Sequence, residues 1–408
     1  MLIPMQTEPA NAWQRYFSNG FRPLFTACAL QALVMMMLWL LYLGGVPLAG
    51  PEVWGAFAWH GHEMLFGFVG AAVGGFLLAA VAKWTGRVPI SGTPLVALTL
   101  LWIGGRILAW YGLDSPVLLM VVNSGYWALL TLLVGREVLL SGNRRNRVVI
   151  LMLGIMTGFS LLFQLGVVDR IRLLESQLLL IALLISLIGG RITPAFTRNW
   201  LLRRKTPAAQ MPAPFGLVDR VAVALSILAA LGWVLPLPAL WAGGLLLLAG
   251  LAQFVRLLRW RGLASLDEPL LFALHLGYLW VGIGFVLLGL SAFGPMIPVT
   301  AGVHALGVGA MGGMILAVAA RAALGHTNRE LKAGRLISLS FLALHLAAMV
   351  RVAAALLPTL SLPLLMLSGS FWLLAFALFA VRYLPILFGP EESLSQALKR
   401  EKARAAGR

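Results

Sequence analysis

Six histidines punctuate an otherwise apolar chain: His60, His62, His275, His304, His326 and His345. All but His326 lie in or at the edge of a long hydrophobic run. An ionisable side chain inside a bilayer costs about 2.5–3.5 kcal/mol on insertion scales, so each one is a functional candidate. Imidazole suits iron, copper and zinc, and haem iron commonly takes an axial histidine. Among the other ionisable residues within the apolar runs are the carboxylate Glu63 and the guanidiniums Arg106 and Arg351. The arginines are suited to pair with haem propionates, which are otherwise expensive to bury. Met64, Met311 and Met314 are soft donors of the kind that cuprous copper accepts. The candidate ligands are therefore His60, His62, His304 and His345, with His275, Glu63 and Met64 behind them, and with Arg106 and Arg351 as further cofactor-binding residues.

The spacing adds detail. His60 and Glu63 are three residues apart and share a helical face, whereas His62 points the opposite way if the helix has already begun. An irregular start at Trp59-His60-Gly61-His62 would let both rings reach one centre. Gly67, Gly70 and Gly74 follow, and Gly302, Gly307, Gly309, Gly312 and Gly313 surround His304. Small residues allow close helix approach and would equally leave room for a flat macrocycle. Each feature also has a plainer reading. His275 and His326 read as hydrogen-bonding residues, the arginines as side chains snorkelling to an interface, the glycines as packing and the methionines as core.

The elements that position these residues follow from composition. Of 408 residues, 60% are hydrophobic and only 11% charged, against about 25% charged in a soluble domain. A bilayer core needs about 20 apolar residues per helix. Twelve runs qualify: 22–44, 60–82, 93–112, 115–135, 148–168, 173–190, 218–235, 238–255, 269–291, 298–321, 336–357 and 361–384. The expected fold is an all-α integral membrane protein of about twelve transmembrane helices. Pro236-Leu237-Pro238 reads as a tight hairpin, and the basic connection 191–217 divides one domain into two six-span halves, about 1–190 and 218–408.

The net charge of +17 is topology and not nucleic-acid binding. Lys83, Arg87, Arg136, Arg144, Arg203, Arg259, Lys332 and their basic neighbours fall in alternate connections, while the other set holds only Arg170 and Arg172. By the positive-inside rule both termini are cytoplasmic, the C-terminal one carrying five basic residues beyond Arg382. Cys28 is the sole cysteine, which excludes an intrachain disulfide, an all-cysteine iron–sulfur site and a thiolate-rich copper centre. The first apolar run is long enough to span and has no cleavage site after it, so a bacterial inner membrane is the expected location.

This orientation sets the depths. His60, His62 and Glu63 lie near the outer surface and His304 about two turns below it. His345 is near the midplane, and Arg351 lies about 9 Å further out at ~1.5 Å per residue. Arg106 joins that outer layer, where four imidazoles, a carboxylate and two guanidiniums can converge. His275 stands alone in the inner third of its span.

Phe21-Arg22-Pro23-Leu24-Phe25, then the run Trp59-His60-Gly61-His62-Glu63-Met64-Leu65-Phe66-Gly67-Phe68 and Trp84-Thr85-Gly86-Arg87, resemble the opening of the NnrS family. Residues 304–329, HALGVGAMGGMILAVAARAALGHTNR, continue the likeness, with Asn328 where the family pattern has glycine. The resemblance covers essentially the whole chain. It implies a haem- and copper-containing inner-membrane protein, its haem b-type, linked to denitrification and to tolerance of nitric oxide. The lipid bilayer, nitric oxide and a quinol or other electron donor are the implied partners, and the motif histidines are the plausible ligands.

Two other classes compete. Twelve spans in two halves also describe a secondary transporter, but the ionisable groups cluster toward the outer side and Lys83-Trp84-Thr85-Gly86-Arg87 lacks an acidic residue. A haem–copper redox enzyme acting on nitric oxide would resemble terminal oxidases, which carry a His-His pair that this chain lacks.

Overall fold

A computed structural model describes residues 11–48, 50, 53–111, 115–235, 237–393 and 396. Gly112 at the end of the third expected span, Pro236 of the expected hairpin and the five basic residues of the C-terminal tail lie outside the described residues. Every regular element among the described residues is helical, and twelve helices are long and apolar enough to cross a membrane. They are α1 (Phe21–Leu43), α2 (Ala56–Thr85), α3 (Thr93–Tyr111), α4 (Pro116–Leu140), α5 (Arg144–Leu165) and α6 (Arg170–Arg203). The others are α7 (Leu217–Val234), α8 (Ala239–Leu258), α9 (Pro269–Ser291), α10 (Val299–His326), α11 (Gly334–Leu356) and α12 (Pro358–Phe388).

Lipid offers no hydrogen bonds, so each apolar run satisfies its backbone as a helix. Local chemistry sets the ends. Ser115 caps α4 ahead of Pro116, and Asp169 accepts the Arg172 N–H at the start of α6. Asn328 has φ +56°, a left-handed conformation that glycine and asparagine both tolerate; this accounts for asparagine at a glycine position. The largest departure from expectation is α6, which continues from the apolar run to Arg203 and shortens the long basic connection. Its extension buries Thr193, Thr197 and Leu201 on one stripe and exposes Arg198 and Arg203. A reading by apolar runs stops short of such an amphipathic turn.

The alternate connections gather at one face. Arg22 on the first turn of α1 donates to the carbonyls of Leu387 and Gly389 at the end of α12. Gly92 N–H donates to Phe17, Asn143 to Trp84 O and Glu392 N–H to Thr327. Arg191 reaches Asn146, and Ala213 N–H reaches Arg259 O. The described segments near both ends of the chain therefore lie on the face that carries the basic loops, as an even number of crossings requires. We call it the basic face and its opposite the bare face. In the middle, α2 packs on α10, α6 on α9, and α1 on α12, around one apolar core running from Phe17 to Leu387.

Two helices depart from α geometry at matching places. Glu63–Phe68 in α2 and Ala305–Gly312 in α10 are π-helical. Each wide turn starts on the residue after a histidine, and such turns are frequent at functional sites.

Candidate functional site

The first cluster is built on the π-turn of α2. His62 Nδ1 lies 2.9 Å from Glu63 Oε1. A carboxylate accepts, so Nδ1 carries the proton and Nε2 is the lone-pair nitrogen. That lone pair faces Gln164 Nε2 of α5 at 3.1 Å, and Trp54 and Phe163 pack on the ring at centroid distances of 4.4 and 4.9 Å. Glu63 Oε2 accepts from Gln31 of α1 at 2.9 Å and forms an ion pair with Arg106 Nε of α3 at 3.2 Å. Arg106 Nη2 donates to Asn123 of α4 at 2.6 Å. Gly67 makes room: a Cβ there would lie 2.4 Å from Arg106 Nη1. The π-turn also frees backbone carbonyls, and Trp102 and Tyr126 donate to those of Gly67 and Gly70. The predicted pairing of His60 with Glu63 on one face is thus replaced by His62 with Glu63, because the wide turn begins between them and the adjacent ring reaches the carboxylate directly.

His60 belongs to a second neighbourhood. Its ring stacks on Trp39 of α1 at 4.1 Å, and its Nδ1 is buried without a hydrogen-bond partner. It lies within electrostatic reach of Arg351 and His304. His304 Nδ1 is 2.8 Å from Thr300 O, so Nδ1–H donates and Nε2 holds the lone pair. Arg351 Nη2 of α11 donates to that Nε2 at 3.1 Å. α1, α2, α10 and α11 therefore bring two imidazoles and a guanidinium together on the bare-face side.

The remaining candidates sit apart. His345 Nδ1 accepts from Trp280 of α9 at 3.2 Å, which occupies its lone pair and leaves Nε2 as the N–H. His275 Nε2 bonds Thr197 of α6 at 2.9 Å, while Thr197 Oγ1 itself donates to Thr193 O. The ring therefore donates, and its Nδ1 is buried without a partner. His326 stacks on Phe21 at the basic face. Met64 is partly buried against the core. Met311 and Met314 line an apolar groove between α1, α2, α6 and α10.

Sequence reasoning stopped at ionisable groups and missed the amides. Gln31, Asn123 and Gln164 complete the His62–Glu63 network, and Gln177 of α6 is fully buried with neither amide atom partnered. On their helix, Leu174 faces Gly61 of α2 and Leu178 faces Gly307 of α10; Gln177, on the same face, points to the seam between those helices. A second network, in the basic half, also went unread. Buried Arg256 bonds Asp219 at 2.8 Å, Ser186 O at 2.8 Å and Tyr278 at 2.8 Å. Gln253 ties Ser186, Ser226 and Tyr278 together. Buried amides in lipid-embedded helices are a signal that could have flagged all of these.

A bound haem needs an imidazole lone pair and cations for its carboxylates. His60 offers an unpartnered buried ring nitrogen, and His304 a lone pair held only by Arg351, so this donor set fits. Copper is less well provided for: no three His, Cys, Asp or Glu side chains gather as a metal cluster among the described residues. His62, oriented by a carboxylate on its second nitrogen, has the arrangement typical of a metal ligand.

Comparison with curated proteins finds no match. The family model described as NnrS protein matches residues 15–391 of the 408, so the chain belongs to the NnrS family.

Proposed function

We propose that this multi-pass membrane protein is a haem- and copper-binding protein of the bacterial inner membrane that binds nitric oxide, or limits its damage, during denitrification or nitrosative stress. Family membership supports a nitric-oxide-related membrane protein in general. The observation that carries the finer reading is the His60–His304–Arg351 neighbourhood on the bare-face side, taken as the outer side.

His304 is the better-oriented ligand, because the Thr300 carbonyl fixes its tautomer and leaves Nε2 for iron. Arg351, which now holds that nitrogen, is placed to turn to a haem propionate. His60, braced by Trp39, would supply a second, exchangeable imidazole that can give way to the gas. Haem bound there supplies an iron centre for a diatomic gas. His62 is the candidate copper ligand, with Glu63 fixing its ring. Nitric oxide is small and partitions into lipid, so a site buried among the helices needs no aqueous channel.

The test is metal analysis and an absorption spectrum, oxidised and dithionite-reduced, of detergent-purified protein with and without nitric oxide. Stoichiometric iron and copper with a Soret band that shifts on nitric oxide are expected. His60→Ala and His304→Ala should lose haem, and His62→Ala copper. A colourless, metal-free protein from haem-replete cells would overturn the proposal.

A further inference from the structure

Three guanidiniums crowd the end of α12 at the basic face. Arg22, only 1% exposed, gives Nη1 to the Leu387 and Gly389 carbonyls at 2.8 and 2.7 Å. Arg329 gives Nη2 to the next carbonyl, Pro390, at 3.1 Å. Arg15 lies on a short helix (Ala12–Tyr16) whose Tyr16 ring stacks on Phe388 at 4.7 Å. Cations complement a helix C-terminus, which explains the bonds that are made. It does not explain the donors left over. Arg22 Nε and Nη2, Arg15 Nε and Arg329 Nη1 are all buried without a hydrogen-bond partner, although Arg22 lies within electrostatic reach of both other arginines.

Like charges with idle donors are costly to hold together, and an anion relieves both costs. The Glu391 carboxylate does so only in part. It stands 3.9 Å from Arg22 Nη2, beyond hydrogen-bond range, with its side chain 54% exposed. Burial pulls the Arg329 guanidinium below its usual range, with Glu392 and Glu391 opposing the shift and Arg382 adding to it. A cleft lined by Arg329, Lys332, Arg335 and Arg382, with Glu330, Glu391 and Glu392 among them, opens beside this corner. Trp13, 63% exposed next to Arg15, suits the headgroup level of a membrane, where aromatic side chains anchor.

We propose that this corner binds a phosphate-type oxoanion, held by Arg22 and Arg329 where the Glu391 carboxylate now stands half-engaged. Guanidinium forks match phosphate oxygens. Basic pockets at helix ends are known to take lipid headgroups, and free phosphate offers the same oxygens. The site lies on the face opposite His60, His62 and His304, although His326 stacks on Phe21 beside it, and it does not depend on the proposed function.

The experiment uses the full-length protein, stripped of lipid in an uncharged detergent. Its melting temperature is followed with inorganic phosphate against chloride at equal ionic strength, and with phosphatidic acid against diacylglycerol. A rise of several degrees is expected with phosphatidic acid, inorganic phosphate or both. A rise with inorganic phosphate identifies a soluble oxoanion, and a rise with phosphatidic acid alone identifies a lipid headgroup. Arg22→Lys and Arg329→Gln should lose the response, and Glu391→Gln should reach half-saturation at lower ligand concentration. No rise with either ligand would overturn the proposal, as would an undiminished rise in Arg329→Gln or an unchanged half-saturation in Glu391→Gln.

Discussion

The Glu63–Arg106 pair should dominate the stability of the His62 cluster. Glu63 is buried and Arg106 nearly so, at 4% and 13% exposure. Glu63→Ala leaves Arg106 with Asn123 as its one hydrogen-bond acceptor and removes the acceptor of both His62 and Gln31. Breaking a buried pair from one side costs about 3–5 kcal/mol, because the surviving charge has no compensation. Arg106→Ala should fall at the lower end of that range, since Glu63 keeps two donors. The double variant removes both charges, so its cost should be close to that of one single change, about 3–5 kcal/mol, and not their sum. A coupling of about 3 kcal/mol follows. Total stability is about 5–15 kcal/mol, so each single change should lower the unfolding midpoint clearly. The assay is reversible unfolding in mixed micelles, followed by tryptophan fluorescence, on all four members of the cycle. Effects that add within about 0.5 kcal/mol, or a Glu63→Ala cost below about 1 kcal/mol, would refute the reasoning.

Three further outcomes are expected. Gly250→Ala would bring a Cβ 2.8 Å from the Gly282 carbonyl across the α8–α9 contact and should cost about 1–3 kcal/mol; Gly244→Ala, with nothing within 4 Å, should be near neutral, and equal effects would contradict the close-approach argument. Gln177→Leu removes two unpaired buried polar atoms and should stabilise the metal-free protein by about 1–3 kcal/mol; a lower melting temperature would instead reveal a partner such as a buried water. Because Cys28 is buried, single cysteines can report topology by maleimide labelling. Met296→Cys on the bare face should react in intact cells and Lys332→Cys only after permeabilisation, and the reverse pattern would invert the orientation.

The sequence alone determined the twelve spans, the gathering of the basic loops on one face and the shortlist of imidazoles. Each rests on a one-dimensional quantity: a helix in lipid must satisfy its own backbone, so an apolar run of sufficient length is itself the element, and alternation along the chain assigns the loops. What the side chains touch is not one-dimensional. His60 and His62 are two residues apart, yet one stacks on Trp39 and the other bonds Glu63, because a π-turn starts at Glu63 and no local pattern announces it. Arg351 on His304 and Trp280 on His345 are contacts between different helices, 47 and 65 residues apart in the chain. The amides of Gln31, Asn123 and Gln164 matter only once α1, α4 and α5 surround α2. The Asp219–Arg256–Tyr278 network likewise needs α7, α8 and α9 side by side. Tertiary packing decided all of these, because a buried charge or imidazole takes whichever polar partner the neighbouring helices bring within about 3 Å, and helix adjacency is fixed by the packing of whole surfaces.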